Sequence, residues 1–265
     1  MTPSRIERSG ALLFLLLLSS MVFIFFSTPL RAADPQDNSL GFSFQKPRIF
    51  FGVHAGMNFP QAKGDIFGVA IRDLTLEKSD FRSPELGFGF GVYIHSHFAA
   101  VGAFDYSRAS ERSEYRHFIE DNGDSIIQKT LFSQWSLLGT WRYYPGKTGE
   151  FIGSYAWIPT RISPYLGAGA GLVHYRFEQQ GDFINFATYD IFTDRLVTRK
   201  SALMTQLSAG LDFVLNHQII ANVECRYSWA QGDISSGQLN YRSDYGFDSI
   251  DLNGLKAVGG IYFRF

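Results

Sequence analysis

The sequence predicts an all-β fold, an eight-stranded antiparallel transmembrane β-barrel with long extracellular loops and short periplasmic turns. Three observations carry the prediction. Apolar and polar residues alternate with a period of two through eight segments of the chain. Long polar connections alternate with shorter ones between those segments. The composition is strand-like: 16% aromatic, with Gly 26, Phe 26 and Tyr 13 among 265 residues, which suits sheets and tight turns better than helices.

Ahead of the strands stands a leader. Arg5 and Arg8 precede "ALLFLLLLSSMVFIFF", and "STPLRAADPQ" follows it; these are the charged, apolar and small-residue regions of a secretory signal. Cleavage is expected after Ala32 or Ala33. Residues 1–33 therefore read as a cleaved signal peptide, 34–47 as a short periplasmic segment and 48–265 as the barrel domain. An uncleaved anchor is the competing reading, disfavoured because Ser19, Ser20, Ser27 and Pro29 dilute the apolar run. No cysteine stands at the cleavage point, which disfavours a lipid anchor. Cys225 is the single cysteine of the chain, so no disulfide forms within one copy. The formal net charge of -1, from 24 basic and 25 acidic residues, argues against a nucleic-acid partner. Mean hydropathy is -0.05, and such averages hide transmembrane strands because their faces alternate.

Strands are expected near Arg48 to Phe59, Glu85 to His95, Phe98 to Arg108 and Ile127 to Tyr144, then near Ser163 to Glu178, Ala202 to Leu215, Gln218 to Trp229 and Asn253 to Phe265. Long polar stretches such as "ASERSEYRHFIEDNGDS" and "QGDISSGQLNYRSDYGFDS" join the first strand to the second, third to fourth, fifth to sixth and seventh to eighth. "HSH" and "NHQ" make short turns, and "PGKTGEFIGSYAWIPTRI" is of middling length. This alternation fits an even barrel with long loops outside the cell, short turns in the periplasm and both termini in the periplasm.

The two faces separate a membrane barrel from a soluble one. The expected seventh strand sets Ile219, Ala221, Val223, Cys225, Tyr227 and Trp229 against Ile220, Asn222, Glu224, Arg226 and Ser228. A soluble barrel turns its charged face to water, whereas here the charges share a face with small residues, as in a crowded lumen. Asp105, Arg142, Arg176, Asp212, Glu224, Arg226 and Arg264 are expected to line it. Ions in so narrow a barrel must be paired or solvated, and the near-balanced set allows pairing. A self-satisfying lumen network is the favoured reading over transport or catalysis.

"RIFFGVHAGMNF", "GAFDYSR", "PYLGAGAGLVHYRF", "SAGLDFVLN" and the terminal "GGIYFRF" together make the chain from Arg48 to Phe265 resemble the eight-stranded outer-membrane barrels of the OmpA-like and OmpW-like kind. The resemblance implies export to the outer membrane, contact with outer-membrane lipid and lipopolysaccharide, and an extracellular ligand reached through the four long loops. It also implies that Ile261, Phe263 and Phe265, spaced by two and ending in Phe, form the signal read by the outer-membrane insertion machinery. Some members carry a peptidoglycan-binding domain after the barrel; none is expected here, since the sequence stops on the last strand.

Other motifs point to no further chemistry. "GAGAGL" from Gly167 breaks the G-x-G-x-x-G pattern at Leu172, and strand glycines that allow close approach explain it better. "HSH" from His95 to His97 has no nearby carboxylate or thiol, so no metal is expected. A lipid A-modifying enzyme would need His, Ser and an acid near the outer rim; His174 and His117 lie on that side without an evident partner in sequence. No cofactor and no enzymatic role are expected. The favoured function is a structural or surface-interaction barrel with a lumen filled by side chains. The alternative is a narrow OmpW-like channel for small apolar molecules, with Phe50, Leu138, Leu166 and Leu172 facing inward.

Overall fold

The computed structural model describes residues 46–119, 123–153, 156–184, 190–234 and 249–265; the expected signal peptide lies outside them. The strands are β1 (Ile49–Pro60), β2 (Ser83–His95), β3 (Phe98–Ile119), β4 (Ser125–Tyr143), β5 (Gly149–Ile152), β6 (Ala156–Pro159), β7 (Ile162–Ile184), β8 (Ile191–Val214), β9 (Ile219–Asp233), β10 (Ser249–Asp251) and β11 (Gly254–Arg264). Helix α1 (Asp65–Asp73) and a 3-10 turn (Lys78–Phe81) lie between β1 and β2.

Strands β1, β2, β3, β4, β7, β8, β9 and β11 each pair antiparallel with the next, and β11 returns to β1. The result is a closed eight-stranded barrel. Its seam runs from Phe50 opposite Arg264 to Pro60 opposite Gly254. Phe265 is sewn into it, donating to the Ile49 carbonyl at 2.9 Å and accepting from Arg48 at 2.6 Å.

Strand centres fall where the alternation puts them, and the ends do not. The expected third strand continues from Arg108 to Ile119, and the fifth and sixth run to Ile184 and back from Ile191. Of the stretches that composition marks as loops, the described residues after Arg108 and after Glu178 are largely ladder. Main-chain pairing is indifferent to side-chain polarity, so the β3–β4 register continues through Ser113 opposite Gln128 and Glu114 opposite Ile127.

One end of the barrel holds the "HSH" turn, the turn after Val214, the β5–β6 hairpin and the Phe50–Arg264 end of the β1–β11 seam. Thr148 donates to the Ser96 carbonyl at 3.2 Å, and Arg264 donates to the carbonyls of His217 at 2.7 Å and Asn216 at 3.1 Å. The Arg264 guanidinium also lies 5.2 Å from the centre of the buried Trp157 ring on β6. We call this the turn end.

The opposite end is closed from within the chain. Helix α1 and the segment after it bring Ile66, Phe67, Ala70, Leu74, Leu76 and Phe81 into one buried cluster with Phe132, Tyr175, Phe177 and Met204 of the barrel wall. Phe67 sits at its centre, edge-on to Phe81, Phe132 and Phe177 at 5.0, 5.4 and 5.5 Å. The main chain anchors this plug: Thr75 donates to the Glu114 carbonyl at 2.8 Å, and Arg116 Nε donates to the Leu74 carbonyl at 2.6 Å.

The turn-end half of the interior is filled by Phe50, Tyr144, Tyr165, Ile220 and Tyr262. Inward glycines give these rings room. A Cβ at Gly91 would lie 2.2 Å from the Phe50 ring, and one at Gly210 would lie 2.5 Å from the Tyr165 ring, so neither position takes a side chain without displacing an aromatic.

Truncating the centre of the plug, Phe67→Ala, should lower unfolding free energy by about 3–5 kcal/mol. Reversible urea unfolding checks this, and a loss near zero would mean that α1 rests on the barrel without packing into it.

Candidate functional site

Between the apolar plug and the aromatic layer, the interior holds an ionic column. Inward positions on β1, β2, β3, β4, β9 and β11 supply it, β9 giving both Glu224 and Arg226. Asp105 on β3 is the hub. Its Oδ1 lies 2.6 Å from His54 Nε2 and accepts from Arg226 Nη1 at 3.1 Å, while Oδ2 lies 3.7 Å from Lys256 Nζ. Lys256 Nζ also lies 2.5 Å from Glu85 Oε2. Arg226 Nη2 and Arg142 Nη2 both donate to Glu224 Oε2 at 2.9 Å.

Toward the turn end, the Arg142 guanidinium stands 4.3 Å over the Tyr165 ring. Asn222 Nδ2 donates to Tyr165 Oη at 2.9 Å and to Asp212 Oδ1 at 2.7 Å, and Tyr144 Oη donates to Asp212 Oδ2 at 2.9 Å. Opposite charges alternate along the whole run. All of these charged groups are buried, and desolvating each costs several kcal/mol, so a column that stays charged must be paired on every side.

Of the seven residues expected inside, Asp105, Arg142, Asp212, Glu224, Arg226 and Arg264 are buried in the interior. Arg176 is not. Val173, Tyr175 and Phe177 face inward on β7, so period two places Arg176 on the outer wall, where it meets Glu178. The same rule turns Leu166 and Leu172 outward, while Phe50 and Leu138 point in. His54, Glu85 and Lys256 were missed by sequence reading, although His54 keeps step with Phe50 and Lys256 with Arg264, both already assigned inward.

His54, Glu85 and Asp105 each offer a ligand atom within 4.8 Å of the others. Lys256 and Arg226 already supply positive charge at those carboxylates, so the group is organised as an ion-pair cluster. At the turn end the His95 and His97 rings stack at 5.9 Å, and His97 Nδ1 faces the Tyr144 carbonyl at 2.9 Å. On the outer wall His174 Nδ1 lies 3.1 Å from Ser201 Oγ, and its ring stacks on Trp135 at 5.2 Å. Among the described residues no carboxylate bonds the other nitrogen of His174.

No protein-family model matches the sequence, and no curated protein matches it. Among solved structures the barrel is similar to that of the outer membrane protein OprG from Pseudomonas aeruginosa, at 13% identity over 84% of this chain and 98% of that one, with a TM-score of 0.44. It is similar to neisserial surface protein A at 11% identity, covering 82% and 96%, with a TM-score of 0.42. The attachment invasion locus protein Ail of Yersinia pestis gives 12% identity, 83% and 100%, and a TM-score of 0.41.

Removing the cation that joins two carboxylates should cost more than trimming an apolar side chain on the outer wall. Arg226→Met leaves Asp105 and Glu224 short of a partner and should destabilise by about 3–5 kcal/mol, while Val223→Ala on the outer face of the same strand, more than half exposed, should cost under about 1 kcal/mol. Vesicle refolding titrations read both; equal losses would mean that the column is not held by pairing.

Proposed function

We propose that this chain is an outer-membrane β-barrel with a closed interior and a structural or surface-interaction role, reached by export on a leader over residues 1–33 that is then removed. The observation that carries the reading is the outer wall. Outward positions from Phe51 to Phe59, Pro84 to Ile94, Phe98 to Tyr106, Ser133 to Tyr143, Ile162 to Leu172, Leu203 to Phe213, Ile219 to Trp229 and Leu255 to Phe265 include no charged side chain. Ten residues of tilted strand, rising about 3.3 Å each, cover roughly the 25 Å apolar band of a membrane barrel. Such a wall, wrapped round a charged interior, is the reverse of a soluble protein.

The packing supports a closed interior. Plug, ionic column and aromatic layer succeed one another along the axis, with Trp157 and Arg264 at the turn end. A structural or surface role then draws on the long-connection end, taken to face outside the cell, where an extracellular ligand would bind. A narrow OmpW-like route keeps less support, because two of its four expected wall residues, Leu166 and Leu172, face outward. Ile261, Phe263 and Phe265 lie together on the outer face of β11 and are proposed as the segment read by the insertion machinery.

Three measurements test the reading. Purified protein in planar bilayers should show little or no steady conductance, and large, long-lived openings would overturn the closed interior. A tag inserted near Gly123 should be labelled on intact cells and one near Asn216 should not; equal labelling would overturn the orientation. Val223→Arg should cost about 2–4 kcal/mol in vesicle refolding if that position meets the bilayer midplane, and a neutral result would mean the wall faces no hydrocarbon.

A further inference from the structure

At the edge of the apolar band, on one side of the barrel, the outer wall changes character. Arg108, Ser133, Arg176 and Arg199 are successive cross-strand partners on β3, β4, β7 and β8, so they form one row. Two residues farther from the band run Ser110, Leu131, Glu178 and Val197, and two farther still run Arg112, Lys129, Gln180 and Arg195. Six cations and one acid therefore share a patch about 14 Å wide and 13 Å high, from the ordinary strand spacing and rise.

Glu178 neutralises part of it by contacting Arg176 and by accepting from Arg195 at 2.5 Å. Arg108, Arg112, Lys129 and Arg199 are exposed and have no acidic partner among the described residues. A groove of about 270 Å³ opens between Arg108, Lys129, Arg176 and Arg195, with Tyr106 and Leu131 also in its wall. At a similar height beyond the band, β9 carries Gln231 and Asp233 on its outer face instead. The cross-strand rows of cations lie in one sector, which a general attraction to an anionic membrane surface does not require.

We propose that this sector binds the phosphorylated headgroup of a membrane lipid. The inference rests on the outer-membrane reading above. Guanidinium groups pair with phosphate oxygens through two parallel hydrogen bonds, and the exposed Lys adds a point charge. A soluble anion would be served by cations alone. The neighbouring rows match the rest of a lipid: Tyr106, Trp135, His174 and Ser201 come next toward the band, then Phe104, Leu137, Leu172 and Leu203. The aromatic row lies where headgroups meet hydrocarbon and the aliphatic row where acyl chains run. Charge and apolar surface follow one another in the order in which a phosphorylated lipid presents them.

The test uses the full barrel chain refolded in phosphatidylcholine vesicles doped with a synthetic bis-phosphorylated glycolipid, with the glycolipid retained per barrel counted after detergent extraction and washing. Native protein should retain it, and should keep it in the presence of excess inorganic phosphate. The combined variant Arg108→Gln, Lys129→Gln, Arg199→Gln should retain at least about tenfold less, since each surface cation near anionic lipid contributes severalfold. A control that removes as many cations elsewhere on the long-connection end, Lys63→Gln, Lys78→Gln, Arg82→Gln, should match native.

Equal retention by the combined variant and native, equal loss in the control, or displacement by inorganic phosphate would each overturn the lipid site. Insertion is read separately from the difference in gel mobility between unheated and boiled samples. Native protein that inserts and retains no glycolipid overturns this site alone, whereas native protein that does not insert overturns the membrane reading. Where the combined variant does not insert, the three single variants, each removing one exposed cation, must show the same direction of loss.

Discussion

Closure of the barrel is the constraint from which the other features descend. Each of the eight wall strands has a hydrogen-bonded neighbour on both sides because β11 meets β1 in register over the length of the seam. No wall strand is an edge, and that is the condition for a sheet to face hydrocarbon. Eight strands also fix the bore, which is wide enough for side chains and too narrow for a broad water column. Whatever points inward must therefore find its partners among other inward side chains.

The interior meets that demand in layers. At the long-connection end, the chain between β1 and β2 folds back as α1 and supplies apolar residues the wall lacks, with Phe67 surrounded by three other rings. In the middle, carboxylates on β2, β3 and β9 are set against cations on β4, β9 and β11. At the turn end, Tyr144 donates to the last acid, Asp212, and Asn222 donates both to Asp212 and to Tyr165. A buried ionic column adds little stability over an apolar filling and is costly to break at any single point. Its effect is on register: a strand slipped by one residue would turn charge onto the apolar outer wall and bring outward residues inside.

The outer wall obeys a different rule, set by its surroundings. Large apolar side chains stand exposed on every wall strand, among them Val53, Phe88, Trp141, Leu203 and Ile261, and charge reappears only where the strands pass beyond the band. On β3, β4, β7 and β8 those strands continue well past it, so the extended ladder itself becomes the scaffold that holds Arg108, Arg176 and Arg199 in a row. Rigid strand, rather than loop, carries the patch, and its spacing is that of the sheet.

The eight wall strands and the face of each residue near their centres are written in the alternation, since period two is a local property and needs no knowledge of partners. Asp105, Asp212, Glu224 and Arg226 could be placed inside for that reason. His54 and Lys256 could have been, by stepping in twos from Phe50 and Tyr262. Arg176 was misplaced by charge alone, where its neighbours Tyr175 and Phe177 held the better clue. What no local pattern contains is the pairing across strands. That His54 meets Asp105, that Arg142 and Arg226 share Glu224, that α1 enters the barrel, and that three arginines separated by up to ninety-one positions (199 − 108) fall in one row were decided by closure and register, because only these bring distant segments of the chain to the same height.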